Sequence, residues 1–168
     1  MTIADSILPE FDMEMAGTRK TLERIPDDKL DWKAHPGSNT IGWVASHLVE
    51  IAGWVEGTLT KDTWDINPEG GEPYKSVQLQ SQQEILDLFD ANVAQARKLI
   101  EDTSDEEFAK SWSLLSGGQA LITMPKIGVI RTWVLNHSIH HRAHLCVYLR
   151  LNNIPVPALY GPSGDEQV

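Results

Sequence analysis

The sequence predicts an all-α chain: a four-helix bundle with a long crossover loop between its second and third helices. Three observations predict it. Four segments repeat apolar residues every three or four positions. No series of strands separates them. The stretch between the second and third, 59–80, contains WDINPEGGEPY, too rich in Gly and Pro for regular structure. The 168 residues suit one domain over 1–168 with a core of its own.

The first helix carries the stripe Ile3, Ile7, Phe11, Met15, Thr18, Leu22 and Ile25, and Pro26 ends it. Pro9 fits if Ser6 caps the helix, which places the proline in the first turn. The second helix runs from about Thr40 to Thr58 on Ile41, Val44, Leu48, Ile51 and Val55, with Ser38 or Asn39 as its cap. The third opens with the capping-box pattern Ser81-Gln82-Gln83-Glu84 and continues through Ile85, Leu88, Phe89, Asn92, Val93, Ala96 and Ile100. Its distance along the chain from the second helix means the two need not be neighbours. Ser104 begins a short capped turn that ends near Lys110. WSLLSGGQALITM alternates weakly around Gly117-Gly118, which favours an irregular loop over a small hairpin. The fourth helix follows Pro125 and reaches about Arg150, where Asn152-Asn153 and Pro155 stop it.

Composition narrows the function. Fourteen Lys plus Arg against 24 Asp plus Glu give a net charge of −10. Such a surface repels phosphate backbones and anionic lipids, so neither nucleic acid nor a membrane is an expected partner. The amino-terminal MTIADSILPEFD has no basic and no apolar region of the kind a signal peptide needs, and no run of about 18 apolar residues occurs. The single cysteine, Cys146, allows no intrachain disulfide and suits a reducing cytoplasm. Glycine-rich phosphate loops, nucleophile elbows and His-Glu-x-x-His are all missing.

Six histidines stand out, because four of them lie within 137–144. Residues four apart share a helix face, which pairs His137 with His141 and His140 with His144. The first pair continues the apolar stripe of Ile130, Trp133, Leu145 and Tyr148, so it points into the bundle. On the second helix, His47 lies on the stripe Trp43, His47, Glu50/Ile51, Trp54. If these helices pack together, His47, His137 and His141 converge. Three neutral imidazoles suit a divalent transition metal and leave a coordination position open for water or substrate. Glu50 is the candidate catalytic carboxylate: a general base, a fourth ligand or an acceptor for an imidazole N–H, set against a plain solvated carboxylate. Trp43 and Trp133 would line a pocket beside the metal. His35 reads as a loop residue, Cys146 as a packed thiol on another face, and Arg142 as one partner of an ion pair.

The stretches DWKAHPGSNTIGWVASHLVEIAGW and VLNHSIHHRAHLCVYLRLNNIPVP resemble the DinB/YfiT-like superfamily of metal-dependent enzymes, and the resemblance extends over about residues 3–160. It implies a four-helix bundle with a divalent metal, nickel or zinc first and iron or manganese as alternatives. The ligands it implies are His47, His137 and His141, with His140 a neighbour. Better-understood relatives use the metal with a low-molecular-weight thiol, as in mycothiol-dependent maleylpyruvate isomerase and bacillithiol transferases. The chain departs from the pattern at His144, where relatives commonly carry Gln. It departs again at His137, where the maleylpyruvate isomerase has a carboxylate.

The expected function is therefore that of a metal-dependent enzyme acting on a small-molecule substrate. It would be a thiol-dependent S-transferase or isomerase, or a metal-hydroxide hydrolase, working as a cytoplasmic homodimer. The alternative is a non-catalytic binding or scaffold bundle whose histidines are core packing. A chelator separates the two readings, because only the first loses stability with its metal.

Overall fold

The structure is a computed structural model that describes residues 1–167. Its long helices are α1 (Ile3–Leu22), α2 (Ile41–Thr60) and α3 (Gln82–Asp102). A short α4 (Asp105–Ala109) follows them. The last helix has three parts without a break: α5 (Lys126–Val129), a π-helical stretch (Ile130–Asn136) and α6 (His137–Leu151). In cross-section α1 packs on α3 and α6, and α2 packs on α3 and α6, so consecutive α1 and α2 occupy opposite corners of the bundle.

The caps explain the helix starts, and two differ from expectation. Thr2, not Ser6, caps α1: its hydroxyl accepts the Asp5 N–H at 3.0 Å while the Asp5 carboxylate accepts the Thr2 N–H at 2.8 Å. This reciprocal box starts the helix early and leaves Pro9 inside it. Burial of Ile7, Phe11, Met15 and Leu22 on both sides of the proline offsets the missing backbone bond. Thr40, not Ser38 or Asn39, caps α2 by accepting the Trp43 N–H at 3.1 Å. Ser81 caps α3 as its sequence pattern requires. The helix buries Ile85, Phe89, Ala96 and Ile100, whereas Leu88 lies at the exposed edge of the stripe.

Although 21 residues separate them, α2 and α3 are direct neighbours. Gly53 allows the approach, since a Cβ there would lie 3.1 Å from Asn92 Nδ2. The Asn92 amide donates to the Val49 carbonyl at 2.9 Å.

Residues 111–125 form a hairpin rather than an irregular loop: β2 (Ser111–Ser116) pairs antiparallel with β3 (Gln119–Pro125). Gly117 and Gly118 supply the turn with φ of 59° and 75°, values that side-chain-bearing residues rarely adopt. The crossover is also not wholly irregular. Its strand β1 (Thr63–Asp65) pairs parallel with β2, opposing Thr63 to Ser113. The Asp65 carboxylate accepts N–H bonds from Gly117 and Gly118 at 3.1 and 2.7 Å, pinning the hairpin turn to the crossover. The result is a three-stranded sheet at one end of an otherwise helical bundle. Among the described residues no helix is long and apolar enough to cross a membrane.

Candidate metal centre

Helices α2 and α6 bring His47, His137 and His141 together as their spacing predicts. One ring nitrogen from each lies within 4.8 Å of the others. All three rings are half-buried, while His140 and His144 are exposed on the outer face of α6. The Nε2 atoms of His137 and His141 face each other at 2.9 Å. The His47 ring stands 4.7 Å from that of His141 and 5.1 Å from that of His137, nearly perpendicular to both.

The second nitrogen of His47 is engaged elsewhere: Nδ1 meets Glu50 Oε2 at 3.3 Å. With Nδ1–H donated to the carboxylate, the lone pair on Nε2 is left free for a metal. The other Glu50 oxygen accepts the Tyr74 hydroxyl at 2.8 Å and the Val77 N–H at 2.6 Å. Burial alone would raise the Glu50 carboxyl, but the bonds from His47, Tyr74 and Val77 outweigh it and hold the group below its ordinary value. Burial, and after it the hydrogen bond to Glu50, push the Tyr74 phenol up to about 12. Desolvation, followed by repulsion from the neighbouring imidazoles, brings His141 down to about 3. The same two causes lower His137.

This donor set fits a divalent transition metal. Neutral imidazoles are the form that coordinates. Metal–nitrogen bonds of about 2.0–2.1 Å at angles of about 90–110° place two nitrogens about 2.8–3.4 Å apart, and the His137–His141 separation of 2.9 Å falls toward the short end of that range. The ring atom His141 Nδ1 is buried with no hydrogen-bond partner.

Aromatic rings surround the trio. Trp43 stacks on His47 with centroids 4.7 Å apart. Beyond His47 opens a cavity of about 260 Å³ between the bundle and the sheet, walled by Trp54, Trp64, Tyr74, Trp112 and Trp133. Trp133 lies beside the histidines and lines the cavity, as its stripe predicts, with its ring 5.9 Å from that of His137; it is 37% exposed while Ile130 and Val134 are fully buried. Trp133 falls within the π-helical stretch, a departure from regular α-helix that often occurs at functional sites.

The remaining candidates are placed as expected. His35 accepts the Gly37 N–H within its own exposed loop. Cys146 faces Thr21, and burial pushes its thiol up, against nucleophilic use. Arg142 pairs with Glu14 at 2.6 Å, and both side chains are buried. Helix spacing carries no sign of Trp64, Tyr74 and Trp112, because the crossover and the hairpin reach the site through sheet pairing. The one available signal was the placement of Trp64 and Tyr74 in a segment rich in Gly and Pro.

The family model of the DinB superfamily matches residues 10–145. The chain belongs to the DinB superfamily. Among its relatives is the uncharacterized protein YrdA of Bacillus subtilis, 26% identical over 163 residues, which covers 96% of this chain and 90% of YrdA. The crystal structure of a DinB-like protein from Bacillus cereus superposes with a TM-score of 0.74 at 23% identity, covering 95% of this chain and 98% of the other. Bacillus subtilis YfiT, described as a probable metal-dependent hydrolase with an unusual four-helix bundle topology, superposes with a TM-score of 0.67 at 18% identity over 89% of this chain and 87% of YfiT. These likenesses carry the bundle fold, and the histidine cluster of this DinB-superfamily chain fits a metal site.

Proposed function

We propose that the chain is a metal-dependent enzyme in which His47, His137 and His141 hold one divalent cation beside an aromatic substrate cavity. The observation that carries this reading is the convergence of three imidazoles, with His47 oriented by Glu50. Nickel or zinc suits the all-nitrogen set, and iron or manganese is compatible with it. A bound divalent cation supplies Lewis acidity, making a water or a small thiol nucleophilic near neutral pH.

The protein's own residues do the rest. His137 and His141 present their Nε2 atoms from one helix face, and His47 closes the third side. Glu50 fixes the His47 tautomer and, through Tyr74 and Val77, holds the crossover against the site. Trp43 shields the His47 ring. The sheet covers the cavity and limits water around a bound substrate. Hydrolysis draws support from the description of YfiT, and thiol transfer or isomerisation from the family resemblance. The lone Cys146 suits a cytoplasmic setting.

Metal content per chain tests the assignment, measured by mass spectrometry on untagged protein purified without chelating resin. About one metal per chain is expected in the wild type and almost none in His141→Ala. Full occupancy in His141→Ala overturns the ligand set. The double variant His140→Ala/His144→Gln is expected to keep its metal, since both rings lie on the outer face.

A further inference from the structure

The geometry points to a substrate that carries an uncharged, fused-ring-sized apolar group, seated in the cavity between Trp54, Trp64, Trp112 and Trp133. This inference rests on the metal-enzyme reading and names the class of substrate that site would take.

Size comes first. A cavity of roughly 150 Å³ holds a benzene ring. One of about 260 Å³ therefore has room for a bicyclic group, roughly ten non-hydrogen atoms by the same scaling. Shape agrees with size. Trp54 and Trp64 meet edge to face with centroids 6.3 Å apart, and Trp64 meets Tyr74 in the same way at 5.2 Å. Flat rings on several sides favour a flat ring between them.

Charge decides the rest. Among the described residues that line the cavity there is no Lys, Arg, Asp or Glu. An anionic group seated among these rings, away from the His47 end, would be desolvated with no cationic side chain to meet it. The one buried amine nearby, on Lys126, is already committed to Glu107 and to the Leu59 carbonyl. An organic cation would gain from the aromatic faces, but the metal site behind His47 would repel it. A neutral group avoids both penalties. His47 is the lining residue that belongs to the trio, so the reacting polar end of such a substrate lies at the His47 end of the cavity.

Four of the six Trp line the cavity, so intrinsic fluorescence reads its occupancy directly. The probes are naphthol, naphthyltrimethylammonium and naphthoate, with metal content measured on every sample. Naphthol is expected to quench saturably at one site per chain on the protein as purified, with the cationic analogue at least about tenfold weaker. Naphthoate is compared after chelation, so that it cannot bind through a metal, and is expected to be weaker than naphthol by a similar factor. Leu114→Trp, on the sheet and away from the histidines, fills the cavity; it is expected to abolish naphthol binding and leave metal content unchanged. If naphthol does not bind, or either charged analogue binds as tightly, the inference is overturned. Undiminished naphthol binding in a folded Leu114→Trp protein overturns it as well. Protein that holds metal but rejects naphthol sinks the substrate class alone. Protein that binds naphthol but never holds metal sinks the enzyme reading.

Discussion

The Glu50 carboxylate and the Tyr74 hydroxyl, 24 positions apart, meet at 2.8 Å and tie the helix that carries His47 to the crossover segment. Glu50 thereby joins two structures with separate tasks. One of its oxygens orients an imidazole, and the other anchors the segment that brings Trp64 to the cavity wall.

Glu50→Gln should therefore weaken metal binding about 10- to 100-fold, the usual cost of disturbing a hydrogen bond behind a histidine ligand. Tyr74→Phe removes only the tether and should weaken binding less. Competition against a chromogenic chelator measures both, and equal affinity in wild type and Glu50→Gln would count against the orienting role.

Metal should also stabilise the fold. A cation at 100 times its dissociation constant adds about 2.7 kcal/mol, which for a chain of this size raises Tm by about 5–10 °C. Calorimetry with and without EDTA on metal-loaded, untagged protein reads the difference. An unchanged Tm would favour the non-catalytic bundle.

The Glu14–Arg142 pair is a structural element of a different kind. The two side chains are 4% and 3% exposed, and Tyr160 bonds to both, fastening the carboxy-terminal segment to α1 and α6. Arg142→Met strands the Glu14 carboxylate, at a cost of about 3–5 kcal/mol. Adding Glu14→Gln should recover part of that loss. Urea unfolding of the single and double variants checks both values.

Acid should weaken the joint between α4 and the last helix. Hydrogen bonds from Lys110 and Lys126 hold the Glu107 carboxyl at about 2, against an ordinary value of 4.5. A carboxyl depressed by folding contributes stability above its ordinary value and loses it as pH falls through the folded one. The contribution is therefore complete above about pH 5 and fades toward pH 2. Glu107→Gln should flatten the acid limb of a stability–pH curve measured by urea unfolding. A curve parallel to that of the wild type would refute the assignment.

Local pattern was sufficient for the helices and for the face that each histidine occupies, because both follow from spacing on a single helix, whereas the meeting of the three rings depends on α2 packing against α6. His137 and His141 share a face by periodicity alone, and the neighbours of His47 place it on an inward stripe. Caps were less legible: Thr2, Thr40 and Ser6 are all competent cap residues, and only hydrogen-bond geometry selects among them. The sheet was hardest to see, since its Thr63–Ser113 pairing joins residues far apart in sequence.

What the chain alone determines, then, is a helical bundle with three imidazoles on inward stripes, because helix periodicity is a local property. The adjacency of α2 and α3, the meeting of His47 with His137 and His141, and the aromatic cavity belong to the tertiary structure. Each depends on elements distant in sequence meeting at a particular register: Gly53 against Asn92, α2 against α6, and Trp64 and Trp112 on paired strands. Those meetings decide what lies next to the metal site, and so what substrate can reach it.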